Sequence, residues 1–363
     1  MTRTHGGSAT SLDDWGWDPG WQAAFGELAD AGWQPARIVA QHRGAWVAVT
    51  EAGEVNATPS GRFRHRADEY GMPAVGDWIG CSLAPQGDEA RIEAIVARRS
   101  AFRRRAAGSQ LGAQMIGANV DTLFVVTSLN GDLNPRRLER YVAMGRDSGV
   151  EPVVLLTKSD LVEGGPDSAT QLARELGVPA VAISSVTSEG IEAVEAWFRP
   201  GRTLAVVGSS GVGKSTLLNR LAGELLMLTR AIREDDARGR HTTTHRELFR
   251  LPGGALMLDT PGMRELGLWD AEEGVAATFA DIAEIAGRCR FSNCQHDREP
   301  SCAVQEAIAD GRIDQRRYRS YRKLQSESAD LPPEALRRER SRQFYKMVRH
   351  ASEEAMARKQ YRG

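Results

Sequence analysis

A glycine-rich octapeptide is the clearest candidate for chemistry in this sequence. It reads Gly208-Ser209-Ser210-Gly211-Val212-Gly213-Lys214-Ser215, and it lies between an apolar run, 204–207, and a helical pattern that starts at Thr216. Glycines let the backbone curl so that successive N–H groups point at phosphate oxygens, while the lysine reaches the β- and γ-phosphates. The pattern predicts a nucleoside triphosphate site over 208–216, with Lys214 acting in catalysis and Ser215 binding Mg²⁺.

A second motif, Thr157-Lys158-Ser159-Asp160, follows another apolar run and is a candidate for recognising the base. In Asn-Lys-x-Asp loops the Asp carboxylate accepts from the ring N–H and amino group of guanine, and the Lys stem covers the purine. Thr157 stands where Asn is usual, so a hydroxyl replaces an amide and can supply only part of its hydrogen bonding. The position of this motif at the carboxyl end of a predicted strand favours GTP binding. Ser184 and Ser185, after the run 180–183, join the predicted GTP-binding residues.

The acidic end of a third apolar run, Leu256-Met257-Leu258-Asp259, is followed by Thr260-Pro261-Gly262. We predict that Asp259 holds Mg²⁺ and that the N–H of Gly262 senses the γ-phosphate. A polar stretch, 230–240, leads to His241-Thr242-Thr243-Thr244, and we assign Thr243 as a further Mg²⁺ ligand.

The residue that orients the attacking water is less clear from the sequence. Ras-like GTPases place a Gln soon after the Asp-x-x-Gly motif, but here Met263 follows Gly262. A thioether cannot orient water, so we assign this role to His241, whose imidazole can accept or donate near neutral pH. His245 is the alternative, and a third interpretation is that His241 contacts only RNA or solvent.

Three of the four cysteines lie in one short segment together with a histidine, in the pattern Cys289-x4-Cys294-x-His296-x5-Cys302. Three thiolates and one imidazole are typical of a closed, tetrahedral, structural zinc site, and they favour metal over disulfides in a reducing compartment. The spacing differs from the common Cys-x2-Cys pattern, so incidental thiols are the alternative. The neighbouring residues that would project from this site toward RNA are Arg288, Arg290, Phe291 and Asn293.

The elements that position these motifs change in type along the chain. Short β-type runs from 37 to 99 predict a small antiparallel barrel, and we expect only partial order in 1–34. From 121 to 266, apolar strands alternate with helices, which predicts a mostly parallel sheet covered on both faces. The loop after the barrel carries Arg98, Arg99 and 103–105 around Phe102, an arrangement that suits either RNA stacking or a solvated arginine cluster.

Composition excludes several classes of protein. With 363 residues, 41% hydrophobic and 26% charged, the chain is neither disordered throughout nor a small disulfide-rich protein. No apolar run approaches the roughly 20 residues that span a bilayer, and residues 1–30 do not read as a secretory signal. We therefore expect a cytoplasmic protein without a membrane partner. The net charge is −1, but 15 Lys/Arg face 7 Asp/Glu over 312–362, which predicts either an RNA-binding surface or a solvated helical face.

The order of the motifs is unusual, because the guanine motif precedes the phosphate loop whereas it follows in Ras-like proteins. A circular permutation joins the original termini of a domain and opens the chain elsewhere, and it can leave the parallel sheet of an α/β domain intact. This order, together with Val75-Gly76-Asp77-Trp78, Ala118-Asn119-Val120-Asp121, 239–245 and the Cys/His set, resembles the RsgA family of circularly permuted, ribosome-small-subunit-dependent GTPases. The resemblance covers about 37–321.

The resemblance implies a multidomain α/β protein with an N-terminal OB-fold, a permuted GTPase domain and a C-terminal helical zinc domain. We divide the chain into an N-terminal extension (1–34), an OB-fold RNA-binding domain (35–110), the GTPase domain (111–270), the zinc domain (271–325) and a basic extension (326–363). It further implies GTP hydrolysis stimulated by the 30S subunit and its 16S rRNA in late assembly, by a monomer. Two alternatives remain: an rRNA-binding scaffold with a weakly hydrolytic pocket, and a P-loop ATPase or kinase in which Asp160 does not read the base.

Overall fold

The computed structural model describes residues 11–42, 45–66, 71–85, 87–105, 113–222, 246–259, 272–297 and 299–329. The described strands are β1 (Gln34–His42), β2 (Ala45–Thr50), β3 (Gly53–Pro59), β4 (Trp78–Leu83), β5 (Glu89–Ile95), β6 (Ala101–Arg105), β7 (Ala113–Ala118), β8 (Thr122–Ser128), β9 (Glu151–Thr157), β10 (Ala180–Ala182), β11 (Thr203–Val207), β12 (Arg246–Arg250) and β13 (Leu256–Asp259). The described α-helices are α1 (Pro19–Ala29), α2 (Gly61–Arg66), α3 (Pro135–Asp147), α4 (Gly165–Leu176), α5 (Ile191–Glu195), α6 (Lys214–Ala222), α7 (Glu272–Thr278), α8 (Ala280–Ala286), α9 (Ala303–Ala309) and α10 (Gln315–Ala329). Among these helices, none combines the length and the apolar character that a membrane crossing requires.

A closed barrel forms from β1 to β5, as the short β-type runs predict. The strands follow the order β1-β2-β3-β5-β4, and β4 pairs back with β1 to close the barrel. The expectation of an antiparallel barrel is wrong for one pair, because β3 and β5 run parallel. A parallel pair needs a long crossover, and the segment from 60 to 88, which contains α2 and β4, supplies it.

Strand β1 belongs to the barrel and to the second sheet at the same time. Its first half pairs with β4, from Gln34 opposite Cys81 to Arg37 opposite Trp78, and its second half pairs with β12 through Ala40 and Gln41. A register shift after Ile38 interrupts its pairing with β2. A bulge bends a strand, and here it falls between the half that closes the barrel and the half that leaves it.

The GTPase-type sheet has the order β10-β9-β8-β11-β13-β12, and its first five strands are parallel. This confirms the predicted mostly parallel sheet. Strand β12, which the apolar-run pattern does not reveal, is antiparallel to β13 and continues the sheet into the barrel. Leu138, Tyr141 and Val142 are buried on α3, as its helical spacing predicts, and Ile191 and Val194 are buried on α5.

The part of the N-terminal segment that the structure describes is more ordered than we expected. Ser11 and Asp18 accept hydrogen bonds from backbone N–H groups at the start of a short 3-10 helix and of α1. Trp21, Phe25 and Leu28 of α1 are buried in the barrel core. Trp17, in the loop before α1, adds edge-on contacts with Phe25 and Trp78, which helical periodicity does not reveal.

Two of the motifs on which the family resemblance rests, 75–78 and 118–121, lie outside the nucleotide motifs. They meet where the barrel joins the GTPase-type sheet. A Cβ on Gly76, at φ +94°, would lie 2.1 Å from the carbonyl oxygen of Ala118. Asn119, at φ +56°, donates from Nδ2 to Gly76 O at 3.0 Å and accepts at Oδ1 from Arg99 N at 2.9 Å. Asp121 binds Thr203 N and the guanidinium of Arg202. These motifs therefore build the joint between the two sheets.

Two arginines of the cluster after the barrel, Arg98 and Arg99, form ion pairs within the protein. Arg98 makes a bidentate ion pair with Asp77, which is fully buried, at 2.7 Å for both bonds. Arg99 pairs with Asp18 in the same way, which lowers the pKa of that carboxyl to about 2, and its guanidinium lies 3.9 Å from the Trp21 ring. Phe102 is fully buried, so of the two interpretations of this loop the stacking of Phe102 on RNA is wrong, and the ion pairs of Arg98 and Arg99 show that these two side chains are not simply solvated.

The C-terminal helices dock on α3 of the GTPase-type domain. Arg317 of α10 binds Glu139 of α3 at 3.1 Å, Asp281 at 2.9 Å and the carbonyl oxygen of Thr278 at 3.0 Å. Glu139 is buried, and that burial raises its pKa even though Arg317 opposes the shift. A buried carboxylate needs such a partner, so this contact fixes the position of α10 on α3.

We predict that Gly76→Ala destabilises the protein strongly. The new methyl group would meet the Ala118 carbonyl, and the φ of +94° is unfavourable for alanine, so the cost should reach about 3 kcal/mol or more. Gly87→Ala is the matched control, because Gly87 also has positive φ but open space around its Cβ position, and it should cost about 1 kcal/mol. Urea unfolding followed by tryptophan fluorescence measures both. Equal midpoints for the two variants would contradict the tight joint.

Candidate functional site

The predicted phosphate, guanine and magnesium motifs lie at one edge of the sheet. Thr157 ends β9, Gly208 follows β11, and Asp259 ends β13, and these strands are parallel. Carboxyl ends of parallel strands share one edge, which is where open α/β sheets bind ligands. The structure therefore brings three motifs together that are separated by up to about a hundred residues in the sequence.

The phosphate loop connects β11 to α6, as predicted, and its backbone needs its glycines. Gly208 has φ +146°, and a Cβ there would lie 2.1 Å from the carbonyl oxygen of Val126 on β8. Lys214, the first residue of α6, donates from Nζ to the carbonyl oxygen of Gly208 at 2.8 Å and to that of Ser209. The ammonium group is therefore held inside the curl of the loop, and Ser215 and Thr216 occupy the first turn of α6.

Thr157 joins the guanine motif to the phosphate loop. Its hydroxyl lies 2.5 Å from the carbonyl oxygen of Val212 and 3.2 Å from that of Thr127, and the side chain is buried. A hydroxyl has one proton and can donate to only one of these acceptors at a time. The sequence raised the question of whether a threonine could replace the usual asparagine here. The geometry shows that it reaches the phosphate loop.

The other residues of the guanine motif have distinct environments. Lys158 has φ +61°, Ser159 is buried, and Asp160 is exposed at the start of a short 3-10 helix. Ser159 N donates to the carbonyl oxygen of Ile183 at 3.2 Å, which links the motif to the next loop. In that loop Ser184 is fully buried, and its hydroxyl accepts from the N–H groups of the turn that follows. Ser185 is half-buried.

Asp259 is half-buried at the end of β13, opposite Glu247 of β12. Its carboxylate and the hydroxyl of Ser215 are oxygen groups of the kind that Mg²⁺ prefers. The predicted residues His241, Thr243, His245 and Gly262 lie outside the described residues, so their assignments remain predictions.

The four predicted metal ligands come together. Cys289, Cys294, His296 and Cys302 place their ligand atoms within 4.8 Å of one another. Sγ of Cys289 lies 3.9 Å from Sγ of Cys302, and Nδ1 of His296 lies 3.4 Å and 3.5 Å from these two sulfur atoms. A tetrahedral ion with bonds of about 2.3 Å to sulfur and 2.0 Å to nitrogen places sulfurs about 3.8 Å apart and sulfur about 3.5 Å from nitrogen. Cys289, Cys302 and His296 therefore have the spacing of three ligands of one tetrahedral ion, and Cys294 lies near enough to be the fourth.

Residues outside the motif hold the backbone of His296, and the spacing of the motif does not reveal them. The carbonyl oxygen of His296 accepts from Tyr318 Oη at 2.8 Å and from Gln305 Nε2. Burial lowers the pKa of the imidazole, and Arg322 lowers it further, so the neutral form that binds metal dominates at neutral pH. Tyr318 comes from a helix more than twenty residues away, and motif spacing carries no signal for it.

Comparison with known proteins gives concordant results. The family model of the RsgA GTPase matches residues 95–269. The small ribosomal subunit biogenesis GTPase RsgA of Opitutus terrae is 45% identical over 335 residues, covering 88% of this chain and 90% of that protein. The RsgA 2 protein of Vibrio vulnificus is 43% identical and covers 94% of this chain and 95% of its own length. The chain belongs to the RsgA family of GTPases.

Solved structures agree with this assignment. The crystal structure of YjeQ from Thermotoga maritima has a TM-score of 0.60 at 24% identity, covering 82% of this chain and 98% of that one. The structure of YloQ, described as a circularly permuted GTPase, has a TM-score of 0.59 at 25% identity, covering 83% and 96%. The RsgA fold explains the motif order, because β9 with its guanine motif precedes β11 with its phosphate loop in the chain while both lie in one sheet. The chain is therefore a GTP hydrolase with a circularly permuted GTPase domain.

We predict that Thr157→Val weakens guanine nucleotide binding by about tenfold, equal to about 1.4 kcal/mol. Valine has the same shape, but it leaves the Val212 carbonyl without this donor and removes the link between the two loops. Thr157→Ser keeps the hydroxyl and should bind nearly as tightly as the wild type. Thr170→Val is the matched control on α4, where the threonine is exposed and bonds only within its helix. Equilibrium titration with a fluorescent GDP measures all three, and unchanged affinity of Thr157→Val would refute the link.

Proposed function

We propose that this chain binds the 30S ribosomal subunit and hydrolyses GTP when bound, in late maturation of that subunit. The observation that carries the nucleotide part of the proposal is the hydrogen bond from the Thr157 hydroxyl to the Val212 carbonyl, because it joins the guanine motif to the phosphate loop. The names of the relatives, which describe small ribosomal subunit biogenesis, support the choice of partner.

The guanine motif supplies base specificity in this proposal. The carboxylate of Asp160 accepts two hydrogen bonds that guanine offers and adenine does not, and the stem of Lys158 covers the purine. Ser159, Ser184 and Ser185 contribute the loop that borders the base. The exposure of Asp160 and the link between Ser159 N and Ile183 O support this arrangement, since the carboxylate is accessible and the two loops are held together.

The phosphate loop supplies charge stabilisation. Lys214 and the N–H groups of 208–216 bind the β- and γ-phosphates, where negative charge spreads in the transition state. Ser215, Asp259 and Thr243 hold Mg²⁺, which neutralises phosphate charge when bound. The N–H of Gly262 responds to the γ-phosphate, and His241 orients the attacking water, with His245 as the alternative.

The C-terminal module carries an exposed basic surface that suits 16S rRNA. Arg316, Arg319 and Lys323 follow one another at helical spacing on α10, and all three are exposed. Beside the metal cluster Phe291 is 41% exposed, and Arg290 lies 5.5 Å from its ring centroid. Cations neutralise phosphates and an exposed ring stacks on an unpaired base, so this surface fits folded RNA.

Zinc is the ion that we propose for the cluster. Three thiolates and one imidazole form a closed set without a position for water, which suits structural zinc. The ion would connect the loop 289–302 to α9, whose first residue follows Cys302. We further propose that the protein acts as a monomer in the cytoplasm.

Multiple-turnover hydrolysis with and without 30S subunits tests the function. We expect slow turnover by the wild type alone and strong stimulation by subunits, with Lys214→Ala inactive in both conditions because the phosphate charge loses its partner. His241→Ala should keep GTP affinity and intrinsic turnover but lose the stimulation.

The outcomes separate the alternatives. Subunit binding without stimulated turnover would favour the rRNA-binding scaffold, and equal displacement of labelled GTP by ATP would favour an ATPase or kinase. Normal stimulation of His241→Ala would show that His241 has no catalytic part, and the water would then be oriented by backbone groups or by the ribosome.

Metal analysis tests the zinc assignment. Protein purified without added zinc should contain about one zinc per chain, because four ligands complete one site. Cys302→Ser should lower the metal content and the unfolding temperature together, since metal binding contributes folding free energy. Cys81→Ala is the matched control, because Cys81 is buried in the barrel, where burial raises its pKa to about 12. Substoichiometric metal in folded protein, or disulfides among the three cluster thiols, would contradict the assignment.

A further inference from the structure

One row of paired residues connects the barrel to the predicted magnesium carboxylate. Val47 of β2 pairs with Ala40 of β1, Ala40 pairs with Glu247 of β12, and Glu247 pairs with Asp259 of β13. Neighbouring strands lie about 4.8 Å apart, so the row is about 15 Å long. At its barrel end the row lies two residues from His42 and Ala45, the last pair of β1 and β2, and in OB-folds the loop after the first strand takes part in oligonucleotide binding.

The link between the two sheets is short. Only two residue pairs, Ala40 with Glu247 and Gln41 with Arg246, join β1 to β12 in the described chain. Two pairs form a weak ladder by themselves, so the contact between β1 and β12 depends on additional side-chain hydrogen bonds.

Arg246 fastens this ladder. Its side chain is buried, and Nη1 donates to the carbonyl oxygen of Met115 at 2.7 Å and to Oε1 of Gln41 at 3.3 Å. One guanidinium thus joins β12 to β1 of the barrel and to β7. Strand β7 also lies against β13, because a Cβ on Gly117 would lie 2.4 Å from Leu258 Cδ2.

A buried arginine is a costly way to fill space. Replacing a buried charged group by an apolar side chain of similar volume is often neutral for stability, so the distinct contribution of Arg246 is its hydrogen bonds to Met115 and Gln41, which an apolar side chain cannot make. Arg250, four residues further along β12, provides the contrast, because it is 41% exposed and pairs with the exposed carboxylate of Asp14 at 3.1 Å. Such a surface pair contributes little.

We propose that Arg246 is a positioning residue for subunit-stimulated hydrolysis. Contact of RNA with the β1–β2 end of the barrel shifts β1, and Arg246 makes β12 and β13 move with it, so that Asp259 takes its position for Mg²⁺. The inference rests on the proposed function and adds to it the route by which the barrel acts on the nucleotide site.

The test compares Arg246→Met, Arg246→Lys and Arg250→Met, with GTP hydrolysis measured against 30S concentration. Arg246→Met should lower kcat at saturating subunits by about tenfold, a common size of coupling between sites, while the half-saturating subunit concentration and the turnover without subunits stay within about twofold of wild type. Arg246→Lys, which keeps a donor for the Met115 carbonyl, should recover most of the stimulation. Arg250→Met should behave like the wild type.

Thermal unfolding of each variant shows that it is folded. If Arg246→Met does not fold, Gln41→Leu decides, because it removes only the barrel acceptor and should lower the stimulated kcat in the same direction. If folded Arg246→Met has the kcat of the wild type, the inference is wrong although the proposed function stands. The same holds for Gln41→Leu where that variant replaces Arg246→Met. A raised half-saturating concentration at unchanged kcat also overturns the inference, since Arg246 would then serve binding only. A wild type that subunits do not stimulate overturns the proposed function, and the inference with it.

Discussion

The sharing of β1 between two sheets is the constraint on which the architecture depends. Its first half closes the barrel against β4 and its second half pairs with β12, so the barrel cannot rotate against the GTPase domain without breaking backbone hydrogen bonds. The buried guanidinium of Arg37 reinforces this sharing, because it bonds Thr203 Oγ1 at 2.7 Å and lies 5.2 Å from the Trp78 ring centroid. Burial lowers the pKa of Arg37 to about 10, so it remains protonated at neutral pH and continues to donate.

The nucleotide site depends on a close approach between two segments of backbone. Gly208 allows the phosphate loop to pass against β8. The hydroxyl of Thr157 then links the guanine motif to this loop by a hydrogen bond. Because β8 lies between β9 and β11 in the sheet, the base motif and the phosphate motif stand two strands apart, although the chain reaches them in the order opposite to that of Ras-like proteins. Circular permutation changes the connections between strands but leaves their neighbours unchanged.

Much of this arrangement could be predicted from the sequence, and the exceptions have physical reasons. The phosphate loop, the metal ligands and the parallel strands carry strong local patterns, which is why Gly208, Cys302 and the apolar run 153–156 were predicted. The interpretation of Phe102 as an RNA-stacking residue is wrong, because the sequence does not show which face of a short strand is buried. Strand β12 and the contact of Arg246 with Met115 were missed, since the pairing of distant segments leaves no periodic signal.

The two outer modules contact different parts of the GTPase domain. The barrel joins β12 at the β13 side of the sheet, whereas the metal-binding module docks on α3, where a Cβ on Gly274 would lie 2.1 Å from the Ala143 carbonyl. Helix α3 leads into β9, which carries the guanine motif, and in the sequence the segment after Asp259 leads to α7 of the module. Asp259 is therefore connected to the barrel through the paired strands β13, β12 and β1, and it precedes the metal-binding helices in the sequence.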